Sequence, residues 1–355
     1  MRRTPPYLML VTVFFILSSV CRGSGAAPLD PHACSNISAD VERLACYDRA
    51  MGRATTAKSP GSSDSNVFLN DTASNTEEKA ATRVPISLLD SRWELDPDSK
   101  LGPFHIRAYK PVYLLPLFMS SDINGAPTSP STGHSVEIPD RLQHAEMKFQ
   151  LSLKSKVWQG VFGDHGDLWV GYTQTSHWQI NNSRLSRPFR ETNYEPEAML
   201  TFATNYQVFG WDARMIGIGV NHQSNGRGLP LSRSWNRVVA NIGFERGDWT
   251  IMLRPWWRIA EPHHKDDNPD ISDFMGRGDA QIVRVWNGHE FSLLFRHTLR
   301  GGDDFRGAVG FDWAFPIKDE LRGHVQLFDG YGESLIDYNH RATYLGLGVS
   351  LLEWY

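Results

Sequence analysis

From about residue 103 onward, apolar and polar residues take turns. Met147, Phe149, Leu151 and Leu153 alternate with Lys148, Gln150, Ser152 and Lys154, and Leu345, Leu347, Val349 and Leu351 interleave with Gly346, Gly348 and Ser350. Successive side chains of a strand point to opposite faces, so each run reads as a strand with one greasy face and one polar or small face. Gly, Asp, Asn and Pro separate twelve such runs, near 104–118, 144–155, 166–178, 196–206, 210–222, 232–246, 248–260, 275–286, 289–299, 305–316, 320–331 and 340–354. Alternation alone does not say which face meets the surroundings. A soluble sandwich turns its apolar face inward and a membrane barrel turns it outward. Three features favour the barrel. The strands are long, often ten residues or more; their polar sets carry several Arg and Lys; and the chain ends in alternating apolar residues followed by Trp354-Tyr355. The predicted fold is all-β, a twelve-stranded antiparallel transmembrane β-barrel over 103–355, preceded by a short periplasmic segment. An even strand count is what single-chain bacterial barrels show.

The N-terminal third has a different texture. Arg2 and Arg3 precede an apolar stretch from Leu8 to Val20, and small residues around Ser24 to Ala27 suit signal peptidase, so 1–27 reads as a secretory signal peptide. No later apolar run reaches the roughly 18 residues of a spanning helix. Residues 28–51 read as a short N-terminal segment, in which Cys34 and Cys46 are expected to form a disulfide, as cysteines of exported chains do. Residues 52–84, rich in Ser, Thr, Ala, Asn and Asp, read as a low-complexity linker, and 85–102 as a pre-barrel segment. A formal net charge of -4 offers no basic field for nucleic acid. Twelve Trp, 11 Tyr and 18 Phe fit the aromatic girdles of a membrane barrel.

Candidate chemistry lies in Gly219-Val220-Asn221-His222-Gln223-Ser224-Asn225-Gly226-Arg227 and in Ser232-Arg233-Ser234-Trp235-Asn236-Arg237. His222 and Ser224 share parity with Ile216, Ile218 and Val220, so they point where the greasy face points. On the next strand Ser234 and Asn236 share parity with Val238 and Ala240. A hairpin loop centred near Leu229 sets His222 opposite Asn236 and Ser224 opposite Ser234, with Cβ atoms about 4.5–5.5 Å apart. A serine hydroxyl needs a base to become a nucleophile, and an imidazole base works best when a third group fixes its tautomer. Ser224, His222 and Asn236 fill these roles, with the Gly226 amide as a candidate oxyanion donor. Ser232 and the Arg227 carbonyl offer oxygen ligands of the kind a hard cation such as Ca2+ takes. A reactive group that faces lipid implies a lipid substrate.

At these residues the chain closely resembles the bacterial outer-membrane phospholipase A family. The resemblance rests on Pro188-Phe189-Arg190-Glu191-Thr192-Asn193-Tyr194-Glu195-Pro196, the block from Asn221-His222 to Asn236-Arg237, Asp266-Asp267-Asn268-Pro269-Asp270, and Gly330-Tyr331-Gly332-Glu333-Ser334-Leu335-Ile336-Asp337-Tyr338-Asn339. Arg43-Leu44-Ala45-Cys46-Tyr47-Asp48 is similar to the pre-barrel segment of many members. The resemblance implies a barrel in the bacterial outer membrane with an outward-facing site, and calcium-dependent phospholipase A1/A2 activity on membrane phospholipids and lysophospholipids. It assigns Ser224 as nucleophile, His222 as base, Asn236 as its orienter and Gly226 as the oxyanion-hole amide. It implies Ca2+ held by Ser232 and the Arg227 carbonyl, with Ser186 supplied by a second subunit of an active homodimer. Gln174 matches the family's interface glutamine; it also shares parity with Leu168, Val170 and Tyr172, so it should face lipid. Two positions depart from the pattern. Leu229 stands where an acid helps a second calcium site, and Gln223 stands where an acid is common. The rival readings are a non-catalytic outer-membrane porin or channel and a soluble exported β-sandwich.

Overall fold

The computed structural model describes Cys34, Ile37, Arg43, Cys46, Tyr47 and residues 87–355 other than 138 and 139. The expected signal peptide at 1–27 and linker at 52–84 lie outside the described residues. The chain divides into two compact units, 1–65 and 66–355. In the first, a disulfide joins Cys34 and Cys46, whose Cα atoms are 5.6 Å apart. Arg43 Nη1 donates to the Ile37 carbonyl at 3.2 Å.

The second unit is built from β1 (Ile106–Ala108), β2 (Val112–Ser120), β3 (Ala145–Trp158), β4 (Asp167–Trp178), β5 (Phe189–Val208), β6 (Trp211–Ser224) and β7 (Ser234–Arg246). There follow β8 (Trp249–Ile259), β9 (Gly278–Trp286), β10 (His289–His297), β11 (Gly307–Lys318), β12 (Leu321–Tyr331) and β13 (Arg341–Leu352). From β2 to β13 each strand pairs antiparallel with the next, and β13 pairs with β2 to close the sheet. Both β1 and β2 pair with β3, so they are one strand interrupted at 109–111, where Pro111 lacks a backbone donor. The result is a twelve-stranded antiparallel barrel, as the alternation predicts. One strand differs from expectation. Expected near 196–206, β5 begins at Phe189 and runs for 20 residues. Pro196 looks like a strand start, yet it sits inside the ladder opposite Tyr172. The charged stretch before it carries lumen-facing side chains rather than a loop.

The two rims are unlike. At one end the connection 159–166 has eight residues and the other four are two-residue turns, as at Asn287-Gly288, where both residues have positive φ (49° and 76°). That backbone matches the right-handed twist of the flanking strands. At the other end lie the longer loops 121–144, 179–188, 225–233, 260–277, 298–306 and 332–340.

The barrel wall answers the question that alternation leaves open. Ile216, Ile218 and Val220 on β6 are 47%, 53% and 54% exposed, and Leu151, Val170, Trp257, Val309 and Leu347 are exposed around the circumference. Lys148, Lys154, Lys156, Glu146, Glu197 and Arg237 are buried inside. Apolar side chains out and charges in is the arrangement for lipid, and it excludes the soluble sandwich. Trp158, Tyr206, Trp249 and Trp286 are exposed near the short-turn rim, the position of an interfacial girdle.

Both ends of the lumen are closed by the chain itself. At the short-turn end, helix α1 (Leu88–Trp93) enters the barrel mouth. Its N-cap Ser87 accepts from the Asp90 amide at 3.0 Å and donates to Glu245, and the Glu245 carboxylate also accepts from the Leu89 amide at 3.2 Å. An anion at the first turn of a helix satisfies its unpaired N–H groups. Leu89, Trp93 and Leu95 pack with Tyr109, Trp169, Met199 and Met215. Lys154 Nζ lies 3.0 Å from the Trp93 ring centroid, a cation–π contact that compensates part of the cost of burying an ammonium. At the long-loop end, 332–340 dips inward. The Leu335 amide donates to Asn193 Oδ1 at 2.9 Å and the Ile336 amide to Glu191 Oε1 at 3.1 Å. Leu335 and Tyr338 are fully buried with Trp235, Trp256 and Ile271. Between these plugs a cavity of about 270 Å3 remains, lined by polar groups including Lys148, Glu195, Arg254 and Glu333.

Candidate active site

The site sits where β6 and β7 approach the long-loop rim. Their register pairs His222 with Asn236 and Ser224 with Ser234, the alignment inferred from a loop centred near Leu229. His222 Nδ1 lies 2.8 Å from Asn236 Oδ1. His222 is exposed on the outer wall beyond Val220, so the imidazole looks toward lipid rather than the lumen. Ser224 lies two residues further along the same face. Its Oγ accepts from the Gly226 amide at 3.1 Å. Among the described residues no hydrogen bond joins His222 to Ser224.

Loop 225–233 sets the Gly226 amide. Asn225, buried, organises the turn: its Oδ1 accepts from the amides of Arg227 at 3.2 Å and Arg233 at 3.0 Å, and its Nδ2 donates to the Leu231 carbonyl at 2.7 Å. Gly226 adopts φ +61°, and a Cβ there would lie 3.1 Å from the Tyr194 ring. Backbone conformation and close approach both call for glycine. Arg227 Nη1 reaches the carbonyls of Phe189 and Arg190, each at 3.3 Å, and ties the loop to the start of β5.

Ser232 Oγ donates to Asp267 Oδ2 at 2.6 Å, and Ser234 Oγ donates to the same oxygen at 3.2 Å. His134 Nε2 lies 3.0 Å from Asp267 Oδ1. The Arg227 carbonyl accepts no hydrogen bond among the described residues. Around the loop stand a hydroxyl, a free carbonyl and one carboxylate, all oxygen donors, which suit Ca2+. Among the described residues no cluster of three His, Cys, Asp or Glu could hold a metal. Ser186, exposed with φ +59° at the end of a short 3-10 turn, lies on the neighbouring loop 179–188. Gln174 is on the outer wall of β4. Its Oε1 accepts from Tyr172 Oη at 3.1 Å and its Nε2 donates to Ser176 Oγ at 3.4 Å.

Motifs scattered in sequence meet at this rim. Arg190 binds Glu146 and Asp337, Asn268 Oδ1 accepts from the Ser234 amide at 3.0 Å, Arg258 pairs with Asp266 at 2.5 Å, and Tyr338 Oη donates to Asp270 at 2.7 Å. Burial pushes the Asp337 carboxyl up, but Arg190 and the hydrogen bonds from Ser334 and Asn124 hold it below the usual carboxylate range.

Residues 89–351 match the model of the Phospholipase A1 family. The chain belongs to the bacterial outer-membrane phospholipase A family. The phospholipase A1 of Escherichia coli (strain K12) is 39% identical over 250 residues, 70% of this chain and 82% of that one. The structure of the outer-membrane phospholipase A from Escherichia coli aligns with TM-score 0.63 and 36% identity, covering 70% of this chain and 95% of that one. That of the Salmonella typhi outer-membrane phospholipase dimer with bound calcium aligns with TM-score 0.64 and 38% identity, covering 72% and 96%. The chain is therefore an outer-membrane β-barrel and a phospholipase A1, a carboxylic ester hydrolase.

Two residues of this phospholipase gain a place that sequence reading left unassigned. Asp267 belongs to a motif that carried the resemblance, but its position beside Ser232 depends on a loop folding back over the hairpin. Glu261 was not singled out. Its Oε1 accepts from Asn236 Nδ2 at 2.8 Å. Period-two parity with the outward-facing Trp257 and Ile259 could have placed it on the reactive face.

Proposed function

We propose that this phospholipase cleaves acyl esters of membrane phospholipids and lysophospholipids with Ser224, His222 and Asn236. The supporting observation is the 2.8 Å contact between His222 Nδ1 and Asn236 Oδ1 on the lipid-facing wall. Asn236 Oδ1 can only accept, so His222 carries its proton on Nδ1 and keeps Nε2 bare. Nε2 takes the proton of Ser224 as Oγ attacks the ester carbon. The resulting oxyanion meets the Gly226 amide, which already points at Ser224 Oγ. Collapse expels the lysophospholipid alkoxide, which His222 reprotonates, and leaves an acyl-enzyme. His222 then activates water, and hydrolysis releases the fatty acid and restores Ser224. An uncharged orienter stabilises imidazolium less than an aspartate would, but costs less to hold at a rim bordered by lipid.

Ser232, the Arg227 carbonyl and Ser186 of a second copy would hold Ca2+, with Asp267 adding a carboxylate beside Ser232. When bound, the cation supplies positive charge next to the forming oxyanion. Ca2+ takes six to eight oxygens. One chain offers about half that number here, which favours a dimer that completes the site and shelters the acyl chain. The outward Gln174 is placed for the contact between copies. A porin or channel is disfavoured by the lumen, which α1 plugs at one end and loop 332–340 at the other.

The test is fatty-acid release by purified protein in mixed micelles. Ser224→Ala should lower kcat by about 10^4-fold or more while the barrel still folds. Undiminished hydrolysis by Ser224→Ala would remove the assignment.

A further inference from the structure

We infer that Glu261 is a positioning residue that fixes the orientation of the Asn236 amide and, through it, the tautomer of His222. The inference rests on the Ser224–His222–Asn236 reading of the site. An asparagine side chain is nearly symmetric in shape. Rotated by half a turn, it would present Nδ2 instead of Oδ1 to His222. Nδ2 is donor-only, so it would pull the imidazole proton to Nε2 and silence the base toward Ser224. The barrel wall itself does not choose between the two orientations.

Glu261 makes the choice. Ile259 is the direct cross-strand partner of Asn236, and Glu261 lies two residues beyond it on the same face. Diagonal neighbours of this kind are within reach of a long side chain. Pro262 follows, which keeps Glu261 extended and in line with β8. Its half-buried carboxylate accepts from Asn236 Nδ2 at 2.8 Å, while Asn236 Oδ1 faces His222 Nδ1 at 2.8 Å. An ionised carboxylate offers no hydrogen to donate, so only Nδ2 can face it. The amide is locked with its oxygen toward the imidazole. The negative charge also polarises the amide and makes Oδ1 a better acceptor as imidazolium forms. Glu261 and Asn236 together thus do part of what one aspartate does in a Ser-His-Asp triad, with the formal charge set one side chain further from the lipid-facing base.

The experiment measures kcat and KM in calcium-containing mixed micelles for wild type, Glu261→Ala, Glu261→Gln, Glu261→Lys, Asn236→Ala and the Asn236→Ala/Glu261→Ala double variant. Folding is checked by heat-modifiable gel mobility, and Ser224→Ala serves as the inactive control. Glu261→Ala should lower kcat about 10–100-fold with KM little changed, the usual cost of losing a group that orients a functional ligand. Glu261→Gln should recover only part of that loss, because its Oε1 can accept from Nδ2 but its own amide can also turn and donate to a flipped Asn236. Glu261→Lys, a donor, should be at least as slow as Glu261→Ala because it favours the flipped amide. In the Asn236→Ala background the loss from Glu261→Ala should vanish, since the group being oriented is gone. Wild-type kcat in Glu261→Ala, a full additive loss in the double variant, or equal rates for the Gln and Lys variants would overturn the role. If Glu261→Ala does not fold, the Gln and Lys comparison decides alone. An active Ser224→Ala would instead bring down the triad, whatever the Glu261 variants do.

Discussion

At the scale of single residues, the β6–β7 hairpin proposed to carry the chemistry uses the outer face of the barrel against its ordinary purpose. Positions 216, 218 and 220 carry Ile, Ile and Val for lipid, and the same parity then delivers His222 and Ser224 to the rim. The polar pair tolerates this because each member is hydrogen-bonded: His222 to Asn236, Ser224 to the Gly226 amide. Gly226 is the most constrained of these positions. An alanine there must hold φ near +61° and push into the Tyr194 ring. Gly226→Ala is expected to cost about 1 kcal/mol of backbone strain or more, and to turn the amide away from Ser224. Loss of one oxyanion donor lowers kcat about 10^2–10^3-fold. Steady-state kinetics checks this, and an unchanged KM would show that the amide acts on the transition state. The parity that places His222, Ser224 and Asn236 was legible in sequence because a strand's period is strict. The partners of Asn236 and Ser232 are less legible: parity with Trp257 and Ile259 puts Glu261 on the same face, but its contact with Asn236, like that of Asp267 with Ser232, is made between different hairpins. Only the folded rim brings them there.

At the scale of elements, the long loops form one network rather than six separate caps. Loop 332–340 carries its weight through Asp337, whose carboxylate takes Arg190 Nη1 at 2.8 Å, Ser334 Oγ at 2.6 Å and Asn124 Nδ2 at 3.1 Å. Asp337→Asn leaves Arg190 short of a buried counter-charge and should destabilise the barrel by about 3 kcal/mol at neutral pH. The pH dependence has a definite sign. The folded carboxyl is held below its usual value, so its contribution is complete above the unfolded value of about 3.9 and fades as pH falls through the folded one. The stability gap between wild type and Asp337→Asn should therefore shrink as pH drops below about 4. Denaturant unfolding in detergent at several pH values measures it; a gap that widens on acidification would contradict the pairing. The twelve strands themselves were readable from alternation, but β5 was read short. Arg190, Glu191, Asn193 and Glu195 look like loop residues, and Pro196 looks like a boundary. They are strand residues whose charges are satisfied across the lumen, by Glu146, Asp337, Lys110 and the amides of loop 332–340. Helix α1 was hidden for a similar reason: six residues carry too little periodicity, and only the barrel mouth gives Leu89 and Trp93 an apolar place.

At the scale of the whole molecule, the barrel separates its two tasks. The lumen is plugged and crossed by ion pairs such as Lys110–Glu195 and Lys148–Glu333, so it serves as a rigid frame. The proposed catalytic residues stand outside, on the lipid-facing wall near the long-loop rim. This frame should fold without Ca2+, because the described ion pairs and plugs need none. The donors proposed for the cation lie on loops 179–188, 225–233 and 260–277, away from the lumen core. Chelation is therefore expected to abolish fatty-acid release while leaving the heat-modifiable folded form intact, and added Ca2+ should restore activity. Mg2+ should restore far less, since it demands tight octahedral geometry and gives up its waters reluctantly. Ser232→Ala removes one oxygen and should raise the Ca2+ concentration for half-maximal activity about tenfold or more. Completion of the site by a second copy adds a signature that a one-chain site would not show. Specific activity should rise with the ratio of protein to detergent, and mixing Ser186→Ala chains with Ser224→Ala chains, each inactive alone, should restore activity, because a mixed pair holds one complete site. Specific activity independent of dilution, with calcium affinity unchanged, would place every ligand within a single chain.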